Sequence, residues 1–175
     1  MNDLPPQSDA QGLLSDRLRK AMRRMPGPVS LVTTHDPADD APAGMAASAV
    51  IPVSMEPPSM LVAVNRQSRC HAAIEANGKF CINLLATDQA HLVKTFATSA
   101  LREERFNQAE WEYSGSIPFL PAAIACIFCD VHTTLVHGTH ELFIGNAYDV
   151  RLRDADGLDP LGWMEGGFAR FGAMD

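Results

Sequence analysis

A run of small residues with the sequence GMAASA extends from Gly44 to Ala49. Because Gly, Ala and Ser carry little side-chain bulk, the backbone of such a run can approach a flat ligand and offer it N–H and C=O groups directly. β-Branched residues and the pair Pro57-Pro58 follow, which indicates a strand that ends in a turn. The alternative is that the small residues simply pack beneath a neighbouring element, and composition alone favours it.

A second stretch that could bind a ligand begins at Ser68. Residues 68–77 predict a short helix, with Ser68 as its N-cap and Gly78 just past its end, where a left-handed conformation is typical. The free N–H groups of a first helical turn form an anion site, so a phosphate could bind there. The alternative for Ser68 is a capping role alone.

A mainly β domain is predicted to position these two stretches. The polar, proline-containing residues 1–10 predict a flexible tail, and residues 11–175 predict one domain. Strands bounded by turn residues are predicted at 29–35, 59–65, 79–85, 122–136 and 140–153, the last two joined by a hairpin. A later helix is expected to be capped by Thr87 or Asp88.

An amphipathic helix is predicted at residues 11–25. Its apolar positions recur at helical spacing and are Leu14, Leu18, Met22 and Met25. Its basic positions are Arg17, Arg19, Lys20, Arg23 and Arg24. A solvated face is the favoured interpretation of these charges, and steering of a phosphate ligand is the alternative.

Composition excludes some classes of protein. The net charge of −7 lacks the basic footprint of a nucleic-acid binder, so small molecules or proteins are the expected partners. No apolar run reaches the roughly 18 residues that a membrane helix needs, and the start of the chain has no signal-peptide pattern. We therefore expect a cytoplasmic protein whose four cysteines stay reduced.

Cys126 and Cys129 form a CxxC pair, which raises the question of a metal. Residues three apart on a strand point to opposite faces, and a second CxxC or correctly spaced histidines are lacking. No metal site is therefore predicted. A zinc protein that also uses His132 and His137 ranks last among the alternatives.

The segment 44–58 resembles the flavin-contacting strand and loop of the flavin reductase-like, FMN-binding split-barrel family, whose pattern is approximately Gly-Met-Thr-Ala-Asn/Ser-Ser-Phe-Thr-Ser-Val-Ser-x-x-Pro-Pro. The matching positions are Gly44, Met45, Ala47, Ser48, Val53, Ser54, Pro57 and Pro58. The departures are Ala46 for Thr, Ala49 for Ser, Val50 for Phe and Pro52 for Ser. The resemblance implies flavin contacts at Met45, Ala46, Ala47, Ser48 and Ala49, made by the backbone where hydroxyls are missing.

A second family pattern, Asn-x-x-Ser-x-Thr-x-x-x-Ile, is matched by Asn65, Ser68 and Ile74, with Cys70 in the threonine position. The resemblance implies that these residues contact the ribityl-phosphate arm of the flavin. Loss of the threonine hydroxyl at Cys70 removes one donor, so we expect a lower phosphate affinity than is typical of the family.

Further matches extend the resemblance over residues 14–171. Arg105-Phe106 and Trp111 resemble the family's Arg-Phe and later Trp, and Arg105 could pair with the cofactor phosphate or, alternatively, with Glu103 or Glu104. Trp163 stands in the position of a family tyrosine.

His140 is the candidate catalytic residue. The sequence His-x-x-Phe-Ile-Gly resembles the family's Gly-Asp-His-x-Ile-Phe-Ile-Gly, in which the histidine lies beside the flavin where nicotinamide docks. Thr139 replaces the acidic residue that usually precedes it. The resemblance implies that His140 positions the nicotinamide.

The resemblance also implies a fold and an activity. The expected fold is a six-stranded antiparallel split β-barrel of Greek-key type with a few short helices, assembled as a homodimer. The expected activity is reduction of FMN or FAD by NADH or NADPH, with reduced flavin supplied to a partner monooxygenase. The alternative, motivated by Ala46, Ala49 and Cys70, is a flavin-binding split-barrel protein without reductase activity.

Overall fold

The computed structural model describes residues 7–154 and 158–172. In this part of the chain the helices are α1 (Gln7–Arg23), α2 (Arg69–Asn77) and α3 (Ala90–Ala97), with 3₁₀ helices at Thr87–Gln89 and Ser99–Glu104. The strands are β1 (Gly27–Pro28), β2 (Ser30–Asp36), β3 (Ala41–Ala47), β4 (Val50–Met55), β5 (Pro58–Asn65), β6 (Lys79–Leu84), β7 (Glu112–Ser114), β8 (Ile117–Phe119), β9 (Ala125–His137), β10 (His140–Leu152), β11 (Leu161–Met164) and β12 (Gly167–Arg170).

The main sheet has seven antiparallel strands in the order β3-β2-β6-β9-β10-β5-β4. Its edge strands β3 and β4 are joined by only Ser48 and Ala49, and so short a connection spans little more than about 10 Å. The sheet must therefore curl until the end of β3 and the start of β4 come together at one corner. Since β3 and β4 form no hydrogen-bonded ladder with each other in the described residues, the curled sheet has a seam there.

The expected mainly β, antiparallel architecture is confirmed. The main sheet has seven strands where six were expected, because the segment that contains the small-residue run forms the end of one edge strand and the whole of the other. A three-stranded sheet β1-β11-β12 and the hairpin β7-β8 complete the β structure of the described residues.

The interior is divided into two apolar clusters. Leu31, Phe96 and Phe128 belong to one, and Val32, Phe80 and Phe143 to the other. Leu31 and Val32 are neighbours on β2, so successive residues of one strand face opposite clusters. The curled sheet thus buries both of its faces over part of its area.

Two local expectations need correction. α1 begins at Gln7, four residues before the predicted start, and residues 1–6 of the expected tail lie outside the described residues. Neither Thr87 nor Asp88 caps α3, because a 3₁₀ helix occupies Thr87–Gln89. Instead, the Gln89 side chain accepts a hydrogen bond from the Ala86 amide at 2.9 Å.

The apolar stripe of α1 has no cover from the described residues. α1 ends at Arg23, two residues before the predicted end. Leu14, Leu18 and Met22 on the helix, and Met25 just beyond it, are each between 57% and 69% exposed. Arg23 attaches the end of the helix to the β11-β12 turn by donating a hydrogen bond to the Glu165 carbonyl at 2.8 Å. No helix within the described ranges is long and apolar enough to span a membrane.

Candidate functional site

A cavity of about 350 Å³ lies between β3, the first turn of α2 and residues 102–107. Four residues that the sequence singled out line it, namely Gly44, Cys70, Arg105 and Phe106. Two further arginines, Arg69 and Arg102, share the lining. The fold thus brings the beginning of the small-residue run, the helix start and the Arg-Phe pair to one place.

Gly44 is required by close packing on β3. A Cβ atom there would lie 2.9 Å from Phe96 Cε1 and 3.0 Å from the Val32 carbonyl oxygen. Both distances are shorter than ordinary van der Waals contacts. The absence of a side chain therefore allows β3 to lie against β2 and α3 at this point.

Arg105 binds the backbone of β3 at Gly44. Its guanidinium donates hydrogen bonds to the carbonyl oxygens of Gly44 at 2.6 Å, Thr95 at 3.2 Å and Thr98 at 3.3 Å. Burial lowers the pKa of this guanidinium below its ordinary value. These bonds use three of the five N–H donors of the side chain, so two remain for a ligand phosphate.

The alternative of an ion pair between Arg105 and Glu103 or Glu104 is wrong for the described residues. Arg102, the neighbouring arginine, contacts Glu103 at 3.2 Å instead. Arg105 turns inward because the carbonyl oxygens at the end of α3 and on β3 are half-buried and need donors.

Phe106 belongs to an aromatic cluster. Its ring centroid lies 5.3 Å from that of Phe96 and 5.0 Å from that of Trp111. Such edge-on pairs hold aromatic rings in fixed orientations. Phe106, which lines the cavity, is therefore held in place by Phe96 and Trp111.

The start of α2 has the predicted cap. The Ser68 hydroxyl oxygen accepts a hydrogen bond from the His71 amide at 3.1 Å. At the other end Gly78 adopts φ 69°, and its amide donates to the Ile74 carbonyl at 2.8 Å. The Asn65 side chain orders the preceding turn by accepting a bond from the Gln67 amide at 2.9 Å. The local helix signals are therefore confirmed.

Cys70 lies in the first turn of α2 with only 3% of its surface exposed. Its sulfur lies 4.0 Å from the Val32 carbonyl oxygen, and burial raises the pKa of the thiol to about 12. The thiol is thus neutral and packed in the core.

His140 lies at the same end of the main sheet as Asn65. The two residues are register partners on β10 and β5, and the Arg66 amide donates to the Thr139 carbonyl at 3.0 Å. The His140 ring is exposed, and its Nδ1 lies 2.9 Å from the Thr139 hydroxyl. The structure therefore places His140, Asn65 and Ser68 around one turn.

Ser48, Ala49 and Trp163 are placed along the seam. The Ala49 carbonyl accepts a bond from the Ala63 amide at 3.1 Å, which ties the seam to β5. Trp163, 37% exposed on β11, is the register partner of Gly27, and a Cβ atom on Gly27 would lie 3.8 Å from the Ser48 carbonyl oxygen. Trp163 thus belongs to a separate sheet that adjoins the seam.

Two sets of side-chain contacts were missed from the sequence. His71 Nε2 lies 2.7 Å from Glu141 Oε2, and Arg69 contacts both Asp36, at 3.0 Å, and Asp39. His71 and Glu141 each stand beside a residue that the motifs singled out, but no local pattern pairs residues 70 positions apart. Only the fold brings them together.

The metal alternative is not supported by the geometry. Cys126 and Cys129 belong to the two different core clusters, as expected of residues on opposite faces of a strand. His132 and His137 are exposed. Within the described ranges, no group of three or more potential ligands converges on one point.

Comparison with known proteins identifies the family. Residues 22–172 match the flavin reductase like domain. The chain belongs to that family. The matched range contains β3, α2, Arg105, His140 and Trp163, and hence all of the residues around the cavity and the seam.

Flavin reductases from several bacteria are similar to this chain over most of their length. The reductase component of an FADH(2)-dependent resorcinol hydroxylase from a Rhizobium strain is 36% identical over 146 residues, which cover 83% of this chain and 79% of that protein. An NADH:riboflavin 5'-phosphate oxidoreductase from Streptomyces pristinaespiralis is 33% identical over 153 residues, covering 86% of this chain and 84% of the relative.

Solved structures of this family share the fold. Flavin reductase PheA2 in its native state superposes with a TM-score of 0.79 at 30% identity, covering 90% of this chain and 99% of that one. Component B of a nitrilotriacetate monooxygenase from Mycobacterium thermoresistibile gives 0.84 at 25% identity, covering 93% and 89%.

The Asp36–Arg69 contact predicts a loss of stability in acid. The hydrogen bond from Arg69 holds the pKa of the Asp36 carboxyl below its usual range. A carboxyl whose pKa is lower in the folded state stabilises the fold above its unfolded pKa, near about 4, and the contribution is lost as the pH falls through the folded value. In urea titrations, Asp36→Asn should therefore be less stable than wild type at pH 7, and the difference should shrink as the pH falls below about 4. A constant difference between the two proteins would contradict this.

Proposed function

We propose that this chain is an NAD(P)H-dependent flavin reductase that acts on FMN or FAD and supplies reduced flavin to a partner monooxygenase. The observation that carries the proposal is the convergence of the small-residue strand, the N-terminus of α2 and His140 around the seam and one end of the main sheet in a chain of this family. The relative named as an NADH:riboflavin 5'-phosphate oxidoreductase supports the flavin reductase activity, and the relative named as the reductase component of a resorcinol hydroxylase supports the partner monooxygenase.

The residues present fit a flavin. β3 is an edge strand, so the backbone N–H and C=O groups on its unpaired side have no ladder partner in the described residues. Met45 and Ala46 are partly exposed on β3, and Ser48 and Ala49 are exposed in the seam. The backbone of this run would hold the flavin ring, and the losses of hydroxyl groups at Ala46 and Ala49 leave those backbone groups in place.

The phosphate-bearing arm would be held at the start of α2. The first-turn N–H groups of Arg69 and Cys70 precede the capped His71 amide and suit an anion. Arg105 offers its two remaining donors from the opposite wall of the cavity. The packed thiol of Cys70 adds no donor, so we expect the backbone amides to dominate phosphate binding.

The bound flavin and nicotinamide supply hydride transfer between their own rings, and the protein supplies binding and orientation. His140, exposed beside Asn65, would orient the nicotinamide over the flavin site. Thr139, through its contact with His140 Nδ1, would hold the ring in place. Trp163, adjoining Ser48 across β1, would cover one side of the seam.

Oxidation of NADH and NADPH by the purified protein, each with and without FMN or FAD, tests the proposed function. Oxidation that rises with flavin concentration and saturates would support a reductase and identify both preferred nucleotides. Flavin binding without oxidation would contradict the reductase assignment and favour the binding protein without reductase activity.

His140→Ala should raise the KM for the nicotinamide nucleotide by about tenfold and the KM for flavin by much less, because only the nicotinamide contact is removed. His137→Ala is the matched control. His137 is the exposed register partner of His140 on β9 and lies outside the motif, so both constants should stay near wild type. An unchanged nicotinamide constant in His140→Ala would contradict the role of His140.

A homodimer is part of the proposal. Ile51, Leu61 and Ile144 are consecutive register partners on β4, β5 and β10, so they form an apolar row on one face of the sheet. Ile51 is 54% exposed, and the apolar residues of α1 are exposed to a similar extent. Apolar surface of this extent is typical of protein interfaces.

Sedimentation velocity tests the dimer. Ile51→Lys should shift the dimer toward monomer, because it places a charge in the row that a partner subunit would bury. Lys94→Glu, on an exposed position of α3, is the control and should leave the dimer intact. A wild-type protein that sediments as a monomer would contradict the proposal.

A cytoplasmic location completes the proposal. All four cysteines are free thiols and buried, which suits a reducing compartment.

A further inference from the structure

His71 and Glu141 form a buried contact that the proposed hydride transfer does not use. His71 Nε2 lies 2.7 Å from Glu141 Oε2, and each residue is only 7% exposed. The His71 ring also meets the ring of Phe143 edge-on, with centroids 5.4 Å apart. Phe143 is fully buried in the core, so its ring holds the His71 ring in a fixed orientation.

Each partner is attached to a different half of the candidate site. The His71 amide is the group that the Ser68 hydroxyl caps at the start of α2. Glu141 follows His140 on β10 and lies between Val64 of β5 and Val136 of β9. The contact therefore joins the helix turn that faces the flavin phosphate to the strand end that carries the nicotinamide histidine.

The surroundings keep Glu141 charged. Hydrogen bonds from Thr134 and His71 hold the pKa of its carboxyl below the usual range, and the positive charge of Arg66 acts in the same direction. Arg66 belongs to the turn between β5 and α2, and the Arg66 amide donates a hydrogen bond to the Thr139 carbonyl. The turn before α2 is thus held to the β9–β10 turn by a backbone bond, and the turn and α2 are held to Glu141 of β10 by the charge of Arg66 and by the His71 contact.

We propose that the His71–Glu141 pair is a positioning element that fixes the distance and orientation between His140 and the first turn of α2. The inference rests on the proposed function, since it assigns the pair to alignment of the two nucleotides. Neither residue touches a reacting atom in this scheme. Hydride transfer depends steeply on alignment, because a misplacement of about 1 Å can cost a hundredfold in rate.

The first experiment compares Glu141→Gln with Glu141→Leu in steady-state kinetics at saturating flavin and nicotinamide. Gln retains an oxygen that accepts the bond from His71 Nε2, whereas Leu does not. We expect Glu141→Leu to lose about tenfold in kcat with both KM values changed less than threefold, and Glu141→Gln to stay within about threefold of wild type. Equal losses in the two variants, or wild-type kcat in Glu141→Leu, would overturn the proposal.

Thr134→Val is the matched control. It removes the hydroxyl that acts together with His71 to lower the pKa of the same carboxyl, and it does so at an exposed residue of β9 rather than on α2. A lower melting temperature with unchanged kcat is expected. A loss of kcat equal to that of Glu141→Leu would show that the carboxylate acts only through general stability, and would overturn the proposal.

His71→Leu tests the histidine of the pair. Because the two residues act as a unit, the double variant His71→Leu/Glu141→Leu should lose no more kcat than either single variant. Additive losses would overturn the proposal. If Glu141→Leu alone fails to fold, His71→Leu and Glu141→Gln carry the kinetic test: His71→Leu should lose about tenfold in kcat, and wild-type kcat in His71→Leu would overturn the proposal.

Amide hydrogen exchange measured by mass spectrometry gives a readout that needs no activity. Glu141→Leu should speed exchange together in peptides covering residues 65–71 and 139–142, whereas Thr134→Val should not. If the wild-type protein oxidised neither NADH nor NADPH with flavin, the proposed function would fail, and the exchange result would still decide whether the pair joins the two segments. Unchanged exchange in Glu141→Leu would overturn the proposal on its own.

Discussion

Gly44→Val is expected to destabilise the protein by at least about 1–3 kcal/mol, the usual cost of overpacking a core, and to weaken flavin binding severely. The added side chain would meet Phe96 Cε1 at 2.9 Å, the Val32 carbonyl at 3.0 Å and Thr33 Cγ2 at 3.1 Å from its Cβ atom alone. One of these contacts is to backbone, which cannot rotate away. β3 must therefore shift outward and carry the flavin-facing run with it.

Urea unfolding and a flavin titration followed by fluorescence measure the two effects of Gly44→Val. Gly27→Ala is the matched control, because a Cβ atom there meets only the Ser48 carbonyl oxygen, at an ordinary 3.8 Å. Both stability and flavin affinity should be close to wild type in the control. Wild-type affinity in a folded Gly44→Val protein would show that the position of β3 does not govern flavin binding.

Asn83→Leu is expected to cost about 2–4 kcal/mol of unfolding free energy, since buried partners are left without hydrogen bonds. Asn83 is fully buried on β6. Its Nδ2 donates to the Leu31 carbonyl at 2.9 Å and the Thr33 hydroxyl at 3.1 Å, and its Oδ1 accepts from the Leu120 amide at 2.8 Å. The side chain thus joins β2 and β6 to the loop after β8.

Chemical denaturation of Asn83→Leu at neutral pH measures this cost. Asn77→Ala is the control, because Asn77 also donates to a threonine hydroxyl, that of Thr34, at 3.0 Å, but is only half-buried. Its loss should be well under half of that for Asn83→Leu, since the Thr34 hydroxyl keeps its own hydrogen bond to the Lys79 carbonyl at 2.7 Å and one bond is removed where Asn83→Leu removes three. Equal losses of unfolding free energy in Asn83→Leu and Asn77→Ala would show that the buried hydrogen bonds of Asn83 are not the cause of its effect.

The features that the sequence predicted well are those with local causes. The cap at Ser68 and the left-handed end at Gly78 depend on residues within one helix, and both were predicted. The β9-β10 hairpin was predicted from the turn around Gly138, whose φ is 59°. The resemblance predicted the segments that meet around the cavity, because the family motifs consist of residues that lie together at the flavin site of the fold.

The features that the sequence missed depend on contacts between distant residues. The direction of Arg105 could not be predicted, because its carbonyl partners on Gly44 and Thr95 become available only once β3 and α3 are packed. The cap expected at Thr87 or Asp88 was wrong because these residues lie inside a 3₁₀ helix, in which the Gln89 side chain accepts a hydrogen bond from the Ala86 amide.

The sequence by itself determined β2, β5, β6, β9 and β10, the capped helix, the family and the residues that surround the candidate site, since periodicity, caps and motifs are encoded by near neighbours. Only the tertiary structure decided that Ser48 and Ala49 lie at a seam between two sheet edges, that Cys70 is buried with a neutral thiol, and that His71 meets Glu141. These properties depend on how the sheet curls and on what lies opposite each residue once it has done so. That information is distributed over the whole packed core and is absent from any single stretch of chain.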